Sequence, residues 1–577
     1  MKKIKKQCLL LAALLAVGSM SAFVGCGPKG EEVDDSKSQL YVGNLYAGWG
    51  NEWLYKWKED FEAKYADTSF ESGKTGVQIW IDDQRDAYSG KSLLTSIASQ
   101  TQDMYFTEDA YYYDYVAQDA CAEITDIVTE DLSAKYGESG SIADKMNPEA
   151  RDYYNLEDGE TDRYYMLPVN ETYFGIMYDV DLFMARSFFV SNQSTATSTK
   201  FTNNKEMFAA GPDGQTGTYD DGLPATYAQF YDLMKKMKDS SITPFIWGGK
   251  YASTYGNRFM ESAWAAADGV AQMNLNYTLS GSATTLVESI TTASKSYDGK
   301  TYDTSTVTLK AEPTTITDAN ANILQKQAGK YYALQLVSNI VKDETNFDSL
   351  AFSGSTSHTG AQTEYLYSAN NPNKQRIAML LDGTWWRPEA KATFENMAVE
   401  MGEDYSMANR NFGLMPVPKP TADMVGTPNT YITSNEAVAF VSAYCPANKL
   451  KLAKEFLQFC FTNNSMKDYT RITDATMPYA YSFTDETEKA SYTASLTTFG
   501  QQMMAIHDEG HIVRGYSSNQ KYINNYSYFA DEWDWRTTNN TSSGKYPFTM
   551  FHEKAALTAK EYFEGCYAHH LNNNLWN

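Results

Sequence analysis

Little in these 577 residues points to catalysis, and each scarcity removes a class of function. Cysteine is scarce: Cys8, Cys26, Cys121, Cys445, Cys460 and Cys566 are all there is. None sits in a CxxC pair, so neither a zinc knuckle nor a thioredoxin-type site is indicated. Positive charge is scarce too. Lys and Arg total 48 against 72 Asp and Glu, giving a formal charge of −24 with no dense basic run. A nucleic-acid partner is excluded, because a phosphate backbone demands a positive footprint. There is no GxxxxGK[ST] loop to hold ATP and no GxSxG elbow for a serine nucleophile. After the N-terminus no run of about 20 uninterrupted apolar residues occurs, so no spanning helix is expected there. In His507-Asp508-Glu509-Gly510-His511 two imidazoles stand at i and i+4. The metalloprotease pattern needs Glu directly after the first His, however, where Asp508 stands, and Gly510 weakens a helix. Asp213-Gly214 and Asp220-Asp221-Gly222 read as turns without the full spacing of a calcium loop. No metal and no cofactor are expected.

What is present is globular. Hydrophobic residues are 42 % and charged residues 21 %, enough to bury real cores. At about 150 residues per domain the length allows roughly four units, or one large two-lobed protein. Lys2, Lys3, Lys5 and Lys6 head an apolar stretch from Leu9 to Val17, followed by small residues and Phe23-Val24-Gly25-Cys26. This is a secretory signal. Its ending resembles a bacterial lipobox, which implies cleavage after residue 25 and a lipid on Cys26, although the pattern prefers Leu where Phe23 stands. Residues 26–38 are polar and acidic and read as a flexible tether, with order beginning near Leu40.

From there the pattern alternates. Leu40–Leu45 reads as a strand. Leu54, Trp57, Phe61 and Tyr65 recur at helical spacing, Val77–Ile81 is a strand, Leu93–Ala98 a helix, and Met104–Phe106 a short buried strand. Such alternation implies an α/β fold with a parallel sheet and ligands at the carboxyl ends of its strands. Further on, Thr226 is placed to cap a helix striped by Tyr227, Phe230, Met234 and Met237. Arg376–Leu381 reads as a buried strand and Leu450–Phe461 as an amphipathic helix. Residues 187–222 look like an elaborated surface loop and 276–318 like an inserted pair of hairpins.

An ordered series of segments then resembles the large-ligand class of extracellular solute-binding proteins, the group that includes bacterial maltose-binding protein. The series comprises the first strand with Trp49 and its helix; Leu167-Pro168 to Tyr178-Asp179 and Leu182-Phe183; and Pro224-Ala225-Thr226-Tyr227 through Ile242-Thr243-Pro244-Phe245. It continues with Ile377-Ala378-Met379 through Gly383-Thr384-Trp385, then Met415-Pro416-Val417-Pro418 with Asn448–Phe461. The likeness spans most of residues 39–470. It implies a two-lobed periplasmic-binding-protein-like fold with hinge strands and a central cleft. Lobe one would hold 39–166 and 428–475, and lobe two 170–425 and 480–577. It also implies a carbohydrate ligand, expected to be an oligosaccharide; an ABC importer with permease subunits in the membrane; a monomer; and a site on the outer face of the bacterial cytoplasmic membrane.

A sugar offers apolar ring faces and a rim of hydroxyls, so aromatic plates and polar side chains at strand ends are the candidates. Trp49 stands in the Gly-rich turn after the first strand, and Glu108 and Asp109 follow the third. Asn170, Glu171 and Tyr173 lie where the resemblance places the first crossing between lobes. Trp247 follows a strand end. Trp385 and Trp386 follow Asp382-Gly383, with one of them expected in the cleft and Arg387 beside it. Trp533 lies in an acidic aromatic loop. The rival readings are a surface-anchored glycoside hydrolase, for which two carboxylates in a chain rich in acid are no signal, and a receptor for peptide or another non-sugar solute.

Overall fold

The computed structural model describes residues 32–84, 87–108, 110–157, 161–434, 437–524, 533 and 546–572. The segment expected to be a signal, Cys26 and Asp109 lie outside the described residues.

Nine strands build two sheets. They are β1 Ser38–Asn44, β2 Val77–Asp83, β3 Met104–Glu108, β4 Leu167–Pro168, β5 Phe174–Asp179, β6 Ile242–Ile246, β7 Arg376–Gly383, β8 Phe412–Met415 and β9 Ala437–Val441. The first sheet runs β2-β1-β3-β9-β4. β1 pairs parallel with β2 and β3, placing Leu40 beside Ile79 and Val42 beside Met104, while β9 runs antiparallel to β3 with Ala439 opposite Phe106. Its strands are apolar on both faces because helices cover both. The helix Glu52–Lys64 buries Leu54, Trp57 and Phe61 at the expected spacing, and Trp57 Nε1 donates to Ser465 O at 3.0 Å. The second sheet runs β8-β5-β7-β6, with Met177 of β5 between Leu380 and Leu414.

The chain passes between the sheets three times: from β4 to β5, from β8 back to β9, and from the helix Asn463–Thr473 to the helix Thr498–Glu509. The last helix belongs with the second sheet, since Gln502 exchanges hydrogen bonds with the backbone of Leu414 at 2.9 and 2.6 Å. The crossings are stitched side by side. Glu171 bridges Thr476, Tyr173 bridges Thr433, and Tyr431–Ile432 pairs with Ile512–Val513. This is a two-lobed α/β fold with a multi-strand hinge.

The structure amends three local expectations. Order begins before Leu40: β1 starts at Ser38, and Asp34 N donates to Gln78 Oε1 at 2.9 Å. Residues 281–316 form one nested hairpin, not a pair. Strand 281–283 pairs with 314–316, 287–291 with 306–309 and 294–297 with 300–303. The tip carries Asp298 and Gly299 at φ 52° and 72°, the left-handed pair that a two-residue turn requires. Tyr297 and Tyr302 dock it on Tyr231 at 5.4 and 4.8 Å. Residues 187–222 are also packed: Phe189 stacks on Phe208 at 4.5 Å over Gly222. Cys121, Cys445, Cys460 and Cys566 are free thiols. No helix among the described residues is long and apolar enough to cross a membrane.

Candidate functional site

The lobe-one wall is made by turns that follow β1, β2 and β3. Asp83, at the end of β2, accepts from Asn44 Nδ2 at 2.7 Å and Asn51 Nδ2 at 2.8 Å, pinning the Leu45–Asn51 turn. Gly50 has φ +69°, and Trp53 Nε1 closes on its carbonyl at 3.1 Å. The turn carries Trp49 to the lobe interface, 7 % exposed, with its indole Nε1 lacking a partner. Glu108 stands half-buried at the end of β3, opposite Ala437. These groups enclose a crevice of about 10 Å³, room for roughly one water.

The lobe-two wall is built on the end of β7. Gly383 lets the Trp385 indole fold back over its own backbone, where a Cβ would overlap the ring. Thr384 is fixed on Tyr173: its N–H donates to Tyr173 O at 2.8 Å and its hydroxyl accepts from Tyr173 N at 3.1 Å. Trp385 thereby reaches lobe one, edge-on to Trp49 at 6.4 Å. The Arg258 guanidinium lies 5.9 Å from the centre of this indole. On the same helix, Ala252–Met273, Tyr255 packs on Phe174 at 5.0 Å, and Tyr251, just before it, lies 5.6 Å from His358. Behind them Gln362 Nε2 donates to Asp382 at 3.0 Å and to Glu389 at 2.7 Å, and His358 Nε2 meets Glu389 at 3.1 Å. Burial, with the charge of Glu389 beside it, pushes the Asp382 carboxyl up to about 7. At the rim Lys391 of lobe two pairs with Glu52 of lobe one. The two lobes therefore stand closed upon each other in this structure.

The hinge holds a buried ionic knot. Glu171 is fully enclosed and accepts from Arg514 Nε at 2.8 Å, Arg514 Nη2 at 2.7 Å and Tyr173 OH at 2.9 Å, with His507 Nδ1 at 3.0 Å. Burial works to raise its pKa. Arg514, His507 and Tyr173 outweigh that and hold it down at about 2.

The structure thus brings Trp49, Glu108 and Trp385 together between the lobes. Asn170 is a hinge residue whose Oδ1 accepts from Ala437 N at 2.8 Å, and Glu171 and Tyr173 belong to the knot. The other aromatic candidates are core side chains here. Trp247 packs among Phe548, Phe347 and Phe352 at 4.9, 5.1 and 5.3 Å. Trp386 sits against Phe412 at 4.9 Å. Trp533 packs on Trp264 at 5.8 Å, with Lys330 over its ring at 4.7 Å. Arg387 is buried on Asp474, Thr497 and the Met407 carbonyl. Sequence reasoning missed Arg258, Tyr251, Tyr255, His358 and Glu389. The Tyr251–Tyr255–Arg258–Ser262 spacing marks one helix face, but nothing in it says which way that face looks.

No family model matches the sequence, and no curated protein matches it. Solved structures do. A chitin oligosaccharide binding protein aligns at 13 % identity and a TM-score of 0.51, over 93 % of this chain and 99 % of its own. The GacH receptor of Streptomyces glaucescens, solved unliganded and with acarbose, aligns at 10 % identity and 0.51, over 93 % and 98 %. A structure from work on xylan utilization by Caldanaerobius polysaccharolyticus aligns at 13 % identity and 0.51, over 92 % and 100 %. At these identities the likeness is one of fold. The chain has the two-lobed α/β fold of these structures.

Proposed function

We propose that this protein is an exported, lipid-anchored receptor that captures a carbohydrate of oligosaccharide length between its lobes and presents it to an ABC importer. The observation that carries the reading is the meeting of Trp49 and Trp385 across the interface at 6.4 Å, with the polar groups of both strand-end walls around them. Two indoles on opposite lobes form a clamp for the faces of a sugar ring, and carboxylates and amides serve its hydroxyl rim. Closure about a hinge of several strands is the motion that such a clamp requires. The fold's resemblance to binders of chitin oligosaccharide and acarbose supports the same ligand class. The lipobox-like Phe23–Cys26 supports the anchor, and no step of the proposed cycle is covalent. Lobe one is taken as 39–166 with 428–475 and lobe two as 170–425 with 480–577.

The test is a thermal-shift screen of residues 27–577 against mono- and oligosaccharides, short peptides and phosphate, with the sugar recovered and analysed afterwards. A ligand that binds only the folded state adds about 2.7 kcal/mol at 100 times Kd. A shift with one sugar series, returned intact, supports the receptor. Cleaved sugar turns the reading to a hydrolase, and a shift from peptides alone removes the carbohydrate.

A further inference from the structure

The interlobe wall contains a cation whose position sets it apart from the protein's other enclosed arginines. Arg514 holds Glu171 at 2.7 Å, Arg410 holds Asp179 at 2.7 Å, Arg376 shares that same carboxylate, and Arg387 holds Asp474. A guanidinium withdrawn from water requires such a partner, because an uncompensated buried charge is strongly destabilising. Arg258 is half-buried, yet neither a carboxylate nor any other hydrogen-bond acceptor among the described residues engages it; its guanidinium lies 5.9 Å from the Trp385 ring and within electrostatic reach of Tyr255. The carboxylates of the same wall are already committed. Glu389 is taken by His358 and Gln362, and Asp382 by Gln362 and the Gly383 N–H. In a chain of charge −24 a lone cation among engaged acids is a position kept for something from outside.

We propose that Arg258 receives the carboxylate of a bound acidic sugar, so that the ligand class is a uronate-containing oligosaccharide. This rests on the carbohydrate-receptor reading above and narrows it. A guanidinium is a planar fork that pairs with a carboxylate through two parallel N–H···O bonds. A hexuronate presents its carboxylate at the edge of the pyranose ring. A sugar ring stacked on Trp385 therefore directs that edge towards the cation lying over the same indole. The ring supplies the apolar contact, and the fork supplies the discrimination. Neutral sugars leave the guanidinium without a counter-charge in a closed cleft, which is the unfavourable arrangement.

The experiment is calorimetric titration of wild type, Arg258→Gln and Arg258→Lys. The probes are oligogalacturonides, mannuronate and guluronate oligomers and glucuronoxylan fragments, each beside its methyl ester, with neutral xylo- and malto-oligosaccharides and glucose 6-phosphate. The expected result is that wild type binds one acidic series at least ~10-fold tighter than its ester, weakening as salt rises. Arg258→Gln abolishes that difference by weakening the acid far more than its ester, and Arg258→Lys restores part of it. Unliganded Arg258→Gln holds its melting temperature nearly unchanged, since only the contact with the Trp385 ring is lost. Acid and ester binding alike, an equal loss for both in Arg258→Gln, a preference for the sugar phosphate, or a drop in unliganded melting temperature each overturns the proposal. Binding of neutral sugars with none of uronates overturns it and leaves the receptor standing. If no carbohydrate binds at all, both readings fall.

Discussion

Trp385 of lobe two lies directly against Gly48 of lobe one, so close that a Cβ on Gly48 would stand 2.7 Å from the indole Cδ1. The absence of a side chain at one position is what lets a large one cross the interface at the other. Closure is therefore written into a pair of residues that share neither a lobe nor a sheet.

Gly48→Ala tests this contact. The added methyl wedges the lobes apart, at a cost of about 1–3 kcal/mol if closure is enforced. Small-angle scattering is expected to show a larger radius of gyration for the unliganded variant, and an unchanged radius would mean that the indole swings away freely.

Trp385→Ala removes the lobe-two plate. Sugar affinity is expected to fall roughly tenfold or more, in line with the loss of an aromatic anchor from an enclosed site. Trp386→Ala is the control one residue away. Its ring is core, so stability falls by about 3–5 kcal/mol while the Kd of the folded fraction stays as in wild type. Calorimetric titration and denaturant melts separate the two outcomes.

Glu171 ties stability to acid. Its folded pKa of about 2 lies below the ordinary 4.5, so its contribution is present in full above the ordinary value and is lost as pH falls towards about 2. Glu171→Gln leaves the buried Arg514 with only the exposed Glu149 at 4.0 Å as counter-charge, at a cost of up to about 3–5 kcal/mol. Melting temperatures across this range should converge for the two proteins as pH drops; parallel curves would refute the assignment.

Asp382 works in the opposite sense. Its carboxyl is raised from 3.8 to about 7, so the folded state binds a proton that the unfolded chain has released, and stability declines as pH climbs between those values. Asp382→Asn lacks this slope. The melting temperature of the variant minus that of wild type should grow from pH 4 to about 8, and a flat difference would show that Asp382 is ionised in the fold.

Much of the frame was legible in the sequence because it rests on local pattern. Leu54, Trp57 and Phe61 do face one core, Thr226 does cap its helix by accepting from Gln229 N, and strand-helix alternation did mark an α/β fold with β1, β2 and β3 parallel. What could not be read were partners distant in the chain. Asn170, Glu171 and Tyr173 lie between β4 and β5, but nothing near Glu171 announces that Arg514 and His507 meet there. Trp385 and Trp386 illustrate the same limit. Both are buried, at 5 % and 0 % exposure, although adjacent residues in regular structure cannot share a core. The chain leaves the strand at Thr384, so one indole is covered by the opposite lobe and its neighbour by its own. Arg258 was hidden among helix residues whose aromatic stripe drew the reading to packing.

The order of strands in the first sheet also dictates a timetable. β9 sits between β3 and β4, yet all four strands of the second sheet precede it in the chain. A polypeptide that emerges N-terminus first during synthesis delivers the whole second sheet before the strand that knits the first one together. The later-numbered lobe is thus free to mature early, while the lobe that begins the protein waits, its β3 edge unpaired, for residues 437–441 to arrive. Chaperones that shield nascent chains would find their longest task at that open edge.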